Sequence, residues 1–254
     1  MNITERHQLI LQKLQENGKV DIQELADTMQ VSGVTVRKDL KLLEEKNLLF
    51  RTKGGGSVKN PYATEKPINE KEFINVEQKK KIARAAVPFT AQTDSILIGS
   101  GTTVFELSRF LFPTKHLFVI TPALKVALEL YSRPNVEVLQ LPGLIHQSSA
   151  SAAGSFAERL LEDISCDILF LGADGIDLEH GLTITNLTEA SLNQKMIHLA
   201  QKVVIMADST KFERRGIGKI CMLDQIDCII TDDGVSPQLV KQIEERGVQV
   251  IIAK

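Results

Sequence analysis

The sequence predicts an α/β chain in two parts: a small helical unit with a hairpin over residues 1–57, and a larger α/β unit with a mostly parallel sheet over residues 77–254. Three observations carry that expectation. Two capped apolar stripes, a basic helical stretch and Gly54-Gly55-Gly56 fill the first 57 residues; residues 58–76 lose all periodicity; and beyond them apolar strand-like runs alternate with helical segments. With 254 residues, 43% of them hydrophobic and 24% charged, the chain has ordinary globular composition and length enough for one small and one large unit.

Asn2 followed three positions later by Glu5 is a capping signal, and Leu9, Ile10, Leu11 and Leu14 then supply a helical stripe that stops near Asn17-Gly18. Asp21 with Glu24 repeats the cap, Ile22, Leu25, Ala26 and Met29 share one face, and Val31-Ser32-Gly33 forces a turn. A third helix starts at Ser32, with Val36, Leu40, Leu42 and Leu43 marking its buried side and Arg37, Lys38, Lys41 and Glu44 elsewhere. Leu48–Lys53 reads as a strand running into the three glycines, which permit a tight hairpin tip. Lys59, Asn60, Pro61, Pro67, Asn69 and Glu70 break any period, so residues 58–76 read as a linker. Beyond it, strands are expected at Ser95–Ile98, Leu117–Ile120, Val136–Leu139, Ile168–Leu171, Val203–Met206, Cys228–Ile230 and Val248–Ile252. Helices are expected near 77–87, 103–111, 122–131, 153–162, 188–200 and 236–246, and Lys79-Lys80-Lys81 on the first of these reads as a solvated face.

The net charge is −2, so any nucleic-acid contact must come from local charge. Residues 34–59 hold it: seven cations, Arg37, Lys38, Lys41, Lys46, Arg51, Lys53 and Lys59, face three anions, Asp39, Glu44 and Glu45. Ser32 and Thr35 suit phosphates or base edges, Arg37 suits guanine, Lys38 and Lys41 extend the basic side, and Arg51 and Lys53 on the hairpin suit backbone phosphates of double-stranded DNA. The bland alternative is a basic protein-docking module in which Ser32 is only a helix cap. Arg6, the run Ser32-x-x-Thr35-Val36-Arg37-Lys38-Asp39-Leu40 and Arg51-Thr52-Lys53-Gly54-Gly55-Gly56 together resemble the winged helix-turn-helix signature of the DeoR family of bacterial regulators. The resemblance covers nearly the whole chain and implies operator DNA as a partner, with Asp39 a structural partner near the recognition helix.

In the second unit Gly99, Ser100, Gly101, Thr102 and Thr103 form a small-residue loop between a strand and a helix, the kind of turn that presents N–H groups and hydroxyls to an anion. It is neither a dinucleotide fingerprint nor a Walker loop. Asp174 and Asp177 follow another strand, then Thr183, Asn186, Glu189 and Lys195, while Asp208 and Lys211 follow a third. Carboxylates suit sugar hydroxyls and lysines a phosphate, so the expected effector is a phosphorylated sugar or polyol. These motifs resemble the ribose-5-phosphate isomerase type of sheet, to which DeoR effector domains are related. In a gapless register through Lys195, Thr185 and Gln194 stand where the isomerase has its lysine and its glutamate base, so the resemblance implies binding without catalysis. Thr121-Pro122 and Pro142-Gly143 depart from the Thr-Asn and Gly-Gly pairs common in the family.

His7, His116, His146, His180 and His198 have no metal-ligand spacing, Ser100, Ser155 and Ser209 lack a His and Asp arrangement, and no cofactor is expected. Cys166, Cys221 and Cys228 sit among apolar neighbours as reduced core residues, and the polar N-terminus with no run of about 18 apolar residues argues against secretion or membrane insertion. The expectation is a cytoplasmic repressor acting as a homodimer or homotetramer, with a sugar-phosphate isomerase as the alternative.

Overall fold

In the computed structural model, which describes residues 1–46, 48–52, 54–58 and 67–254, local chemistry sets each boundary of the N-terminal helices. Helix α1 (Ile3–Asn17) opens on a reciprocal cap in which Asn2 Oδ1 accepts from the Glu5 N–H and Glu5 Oε2 from the Asn2 N–H, and it closes at Gly18 with φ 72°. Strand β1 (Lys19–Asp21) leads to the Asp21 side chain, which caps α2 (Ile22–Met29) by accepting from the Gln23 and Glu24 N–H groups. Ser32 caps α3 (Gly33–Glu45), and β2 (Phe50–Thr52) and β3 (Gly55–Ser57) form an antiparallel pair. β3 lies between β1 and β2, so the hairpin gains a third strand that Lys19-Val20-Asp21 is too short to announce. Gly55 is required there, since a Cβ would sit 1.8 Å from the Val20 carbonyl oxygen. Ile10, Leu14, Leu25, Val36, Leu40 and Leu43 form the core under these elements.

The chain divides into two units, Met1–Thr64 and Glu65–Lys254. The second contains α4 (Ile68–Glu72), α5 (Val76–Ala86), β4 (Ser95–Ile98), α6 (Thr102–Phe110), β5 (Leu117–Thr121), α7 (Leu124–Leu130) and β6 (Val136–Gln140). There follow β7 (Leu144–His146), β8 (Ser151–Ala153), α8 (Ser155–Leu161), β9 (Cys166–Leu171), β10 (Gly175–Asp177), β11 (Gly181–Ile184) and α9 (Leu187–Leu199). The last elements are β12 (Ala200–Met206), β13 (Gly218–Cys221), β14 (Cys228–Thr231), α10 (Pro237–Glu244) and β15 (Gln249–Ile252).

Seven strands form a wholly parallel sheet in the order β15-β14-β12-β9-β4-β5-β6. Alternating side chains feed two cores: Ile96, Ile98, Phe170 and Met206 pack under α5, α6 and α7, whereas Leu97, Leu169, Leu171 and Ile205 pack under α8, α9 and α10. The sheet and its flanking helices follow the sequence expectation, while the small sheets β10-β11-β13 and β7-β8 do not appear in it. Part of the stretch read as a linker is also structured. Ile68 is buried at the start of α4, and Pro67, taken there as a breaker, stands at the helix N-cap where its missing N–H removes no helical bond. The three cysteines are buried and unpaired, with burial pushing Cys166 and Cys221 up to about 12 and Cys228 to about 11. No helix among the described residues is long and apolar enough to cross a membrane.

Candidate functional sites

Arg37, Lys38 and Lys41 are exposed on α3, opposite the buried Val36, Asp39, Leu40 and Leu43. Asp39 is 1% exposed and binds Arg6 through both oxygens, at 2.6 Å from Nε and 3.0 Å from Nη2, tying α1 to α3. His7 Nε2 stands 3.4 Å from the same carboxylate. The other candidates from the sequence have structural partners: Ser32 Oγ accepts from the Thr35 N–H at 3.2 Å and lies 3.0 Å from Thr35 Oγ1. The Arg51 N–H donates to Glu44 Oε1 at 2.9 Å and its guanidinium lies 3.9 Å from Glu44 Oε2, so Arg51 closes β2 against the end of α3. Lys41 is 4.0 Å from Glu45 on an exposed turn, and Lys53 falls outside the described residues.

In the second unit a pocket opens at the carboxyl ends of β4 and β9, neighbouring strands from which the chain order runs in opposite directions, the usual ligand position in such sheets. Ser100, Gly101, Thr102 and Thr103 form one wall, where Gly101 at φ 126° starts α6 with no side-chain cap, leaving its first-turn N–H groups to the pocket. Asp174 lies across from them; its Oδ1 is 3.1 Å from Lys71 Nζ and 3.8 Å from Lys211 Nζ, and its Oδ2 accepts from the Thr185 N–H and hydroxyl at 3.2 and 3.0 Å. Burial pushes the Asp174 carboxyl up, but the two lysines and the Thr185 hydroxyl together hold it below its ordinary value. Burial likewise lowers Lys211 despite Asp174 and Asp208. Glu189, 3% exposed, completes the rim, accepting from the Ser149 hydroxyl and from Ser151 Oγ at 3.2 Å.

Behind the pocket Asp208 accepts from Asn75 Nδ2 and the Thr210 N–H, each at 3.0 Å. Lys79 is also buried here, and its ammonium donates to the Lys71 carbonyl; burial brings it down to about 8 against the pull of Asp208. Lys79 corrects the reading of residues 79–81 as a solvated face, and Lys71 emerges from the stretch read as linker. The signal for Lys79 was available: 79, 82, 83 and 86 fall on one helical face, and the other three are Ile82, Ala83 and Ala86.

Besides Asp208, five of the residues expected to contact ligand stand outside the pocket lining. Asp177 binds Arg215 Nε at 3.0 Å and the Glu179 and His180 N–H groups at 2.9 Å, and Thr183 Oγ1 bridges the Gly175 carbonyl and Gly216 N–H. Asn186 caps α9, and Lys195 is 3.6 Å from Glu162 on an exposed flank. Gly99 donates its N–H to the Phe170 carbonyl and packs where a Cβ would meet Leu171 at 2.6 Å. The Thr121-Pro122 loop is internal as well, with Thr121 Oγ1 donating to the Ile98 carbonyl and the Pro122 carbonyl accepting from the Ala152 N–H. Among the described residues no group of three or more His, Cys, Asp or Glu side chains is arranged to hold a metal.

Residues 6–61 match the family model of the DeoR-like helix-turn-helix domain, and residues 74–233 that of the DeoR C terminal sensor domain. The chain is 34% identical over 251 residues to the putative aga operon transcriptional repressor of Escherichia coli O157:H7, spanning 98% of this chain and 93% of that protein. It is 33% identical over 250 residues to the uncharacterized HTH-type transcriptional regulator YulB of Bacillus subtilis (strain 168), spanning 98% and 96%. Among solved structures it is similar to ribose 5-phosphate isomerase A of Methanocaldococcus jannaschii, at 19% identity and a TM-score of 0.39, over 54% of this chain and 55% of that one.

Proposed function

The chain belongs to the DeoR family of transcription regulators, and from that premise we propose that it is a repressor of a sugar or polyol utilisation operon, released or engaged by a phosphorylated sugar or polyol. The exposed cations of α3 bind double-stranded operator DNA as a cytoplasmic homodimer or homotetramer reading paired half-sites. The observation that carries the ligand class is the pocket itself. An uncapped helix start and two ammonium groups supply a phosphate subsite, while Asp174 and Glu189 supply acceptors for hydroxyls.

Coupling follows from α4, the first element after the segment that joins the two units. Lys71 on α4 pairs with Asp174, the Ile68 N–H donates to the Ser148 carbonyl at 2.6 Å, and Glu72 pairs with Lys125. A phosphate that draws Lys71 away from Asp174 therefore acts on the segment leading to the DNA-binding unit, giving the differential contact that any ligand-driven switch requires.

Binding to DNA from upstream of its own gene is expected to prefer particular sequences and to weaken as salt rises. Arg37→Ala is expected to relax base preference, whereas Lys41→Ala weakens every sequence about equally and lowers the salt slope by about 1. A protein without salt-sensitive, sequence-preferring binding refutes the operator reading. Thermal-shift measurements with sugar phosphates and their unphosphorylated sugars are expected to show stabilisation by phosphorylated compounds only, and stabilisation by none of them refutes the effector reading. No ketose is expected from ribose 5-phosphate, because Thr185 is bound to Asp174 and Gln194 is exposed, with its amide on the Lys219 carbonyl.

A further inference from the structure

Helix α3 exposes Val34, Arg37, Lys38 and Lys41, positions spaced i, i+3, i+4 and i+7 and therefore one continuous face. Three of the four are the cations expected on a DNA-facing helix. The fourth is apolar: Val34 is 59% exposed and contributes nothing to the core beneath α3, where Ile22 and Val31 are the nearest partly buried side chains in the sequence. Isolated exposed valines are common and need no explanation, but this one stands in the first turn of the second helix of a helix-turn-helix, where side chains meet base edges. Its neighbours narrow the chemistry. The Ser32 and Thr35 hydroxyls are occupied by each other and by the helix cap, so they are not the obvious readers of a base edge in this turn. Gly33 has no side chain, and a Cβ there would lie 3.6 Å from Arg37 Nη1, so the Arg37 guanidinium reaches back along the first turn to Gly33.

Resting on the operator-binding reading, we infer that Val34 is a specificity-determining residue that packs against the C5-methyl of a thymine in the major groove. Thymine offers an apolar group in that groove, and an apolar side chain matches it where a cation or hydroxyl does not. Valine suits the role because its branched side chain has one strongly preferred rotamer in a helix and so loses little freedom on contact. The face then reads two kinds of base edge, a thymine methyl through Val34 and guanine acceptors through Arg37, with Lys38 and Lys41 left to phosphates.

The test uses the full chain. Sites are selected from random duplexes, and each thymine of the selected sequence is then replaced in turn by deoxyuridine, which deletes the methyl and keeps the base pair. For the wild type one thymine position in each half-site is expected to lose about fourfold in affinity, the change that corresponds to burial of one methyl group. Val34→Ala is expected to bind the thymine and deoxyuridine duplexes equally at that position, with an unchanged salt dependence and unchanged preference at every other base. An enriched site at which no thymine-to-deoxyuridine change weakens the wild type overturns the inference, as does a Val34→Ala protein that keeps the wild-type response. If no sequence is enriched at all, the operator-binding reading itself has failed and the inference falls with it.

Discussion

At the scale of single residues, Lys79 is a cation with 5% of its surface exposed, set near Asp208 and Glu106 but also near Lys71 and Lys211. Burial lowers it from 10.5 to about 8, so between those pH values the unfolded chain binds the extra proton and the folded chain does not. Its contribution to stability therefore rises with pH across that window, and below pH 8 the cost of holding a buried charge is present in full. Urea unfolding at pH 7, 8.5 and 10 is expected to show this rise in the wild type and to show a smaller one in Lys79→Met. Equal slopes in the two proteins would mean that Lys79 titrates as an ordinary surface lysine. Three consecutive lysines look alike as a run, and the helical spacing alone separates the first, which shares a face with Ile82, Ala83 and Ala86.

At the scale of elements, the helix boundaries were largely legible because a cap is a contact between residues two or three apart. Asn2, Asp21 and Ser32 each accept from an N–H in the helix they open, as their residue types and positions imply. That same fact gives Ser32 a structural role as a cap, and a DNA contact from it is a separate, measurable matter. Ser32→Ala is expected to cost the N-terminal unit about 1 kcal/mol and Ser32→Gly only a few tenths. Base preference in a DNA titration should be the same for both variants as for the wild type; a changed preference would restore Ser32 as a reader. Helix α4 was not legible, since five residues with one buried apolar side chain make no period. The hairpin's partner β1 was missed for a related reason: Val20 gains its place only by pairing with Gly56 from 36 positions further along the chain.

At the scale of the whole molecule, the lysines of the pocket separate ligand binding from its consequence for DNA. Saturation at 100 times Kd should stabilise the wild type by about 2.7 kcal/mol against unfolding. Lys71→Met is expected to weaken binding of a sugar phosphate and to abolish its effect on the DNA complex while leaving ligand-independent DNA affinity intact. Lys195→Ala, on an exposed flank, should change neither, and a loss of ligand response in that variant would return Lys195 to the site. What the sequence determined by itself was the N-terminal helices, the strands of the main sheet with their flanking helices, the α/β class and the DeoR resemblance, because caps, glycine turns and apolar alternation act over a few residues and leave a local trace. Which charges meet was decided only in three dimensions. Lys71 and Asp174 are 103 positions apart. They meet because α4, held by the Ile68–Ser148 and Glu72–Lys125 contacts, brings Lys71 to the loop that leaves β9, and no local period records which side chains of distant elements stand together at the carboxyl end of a parallel sheet.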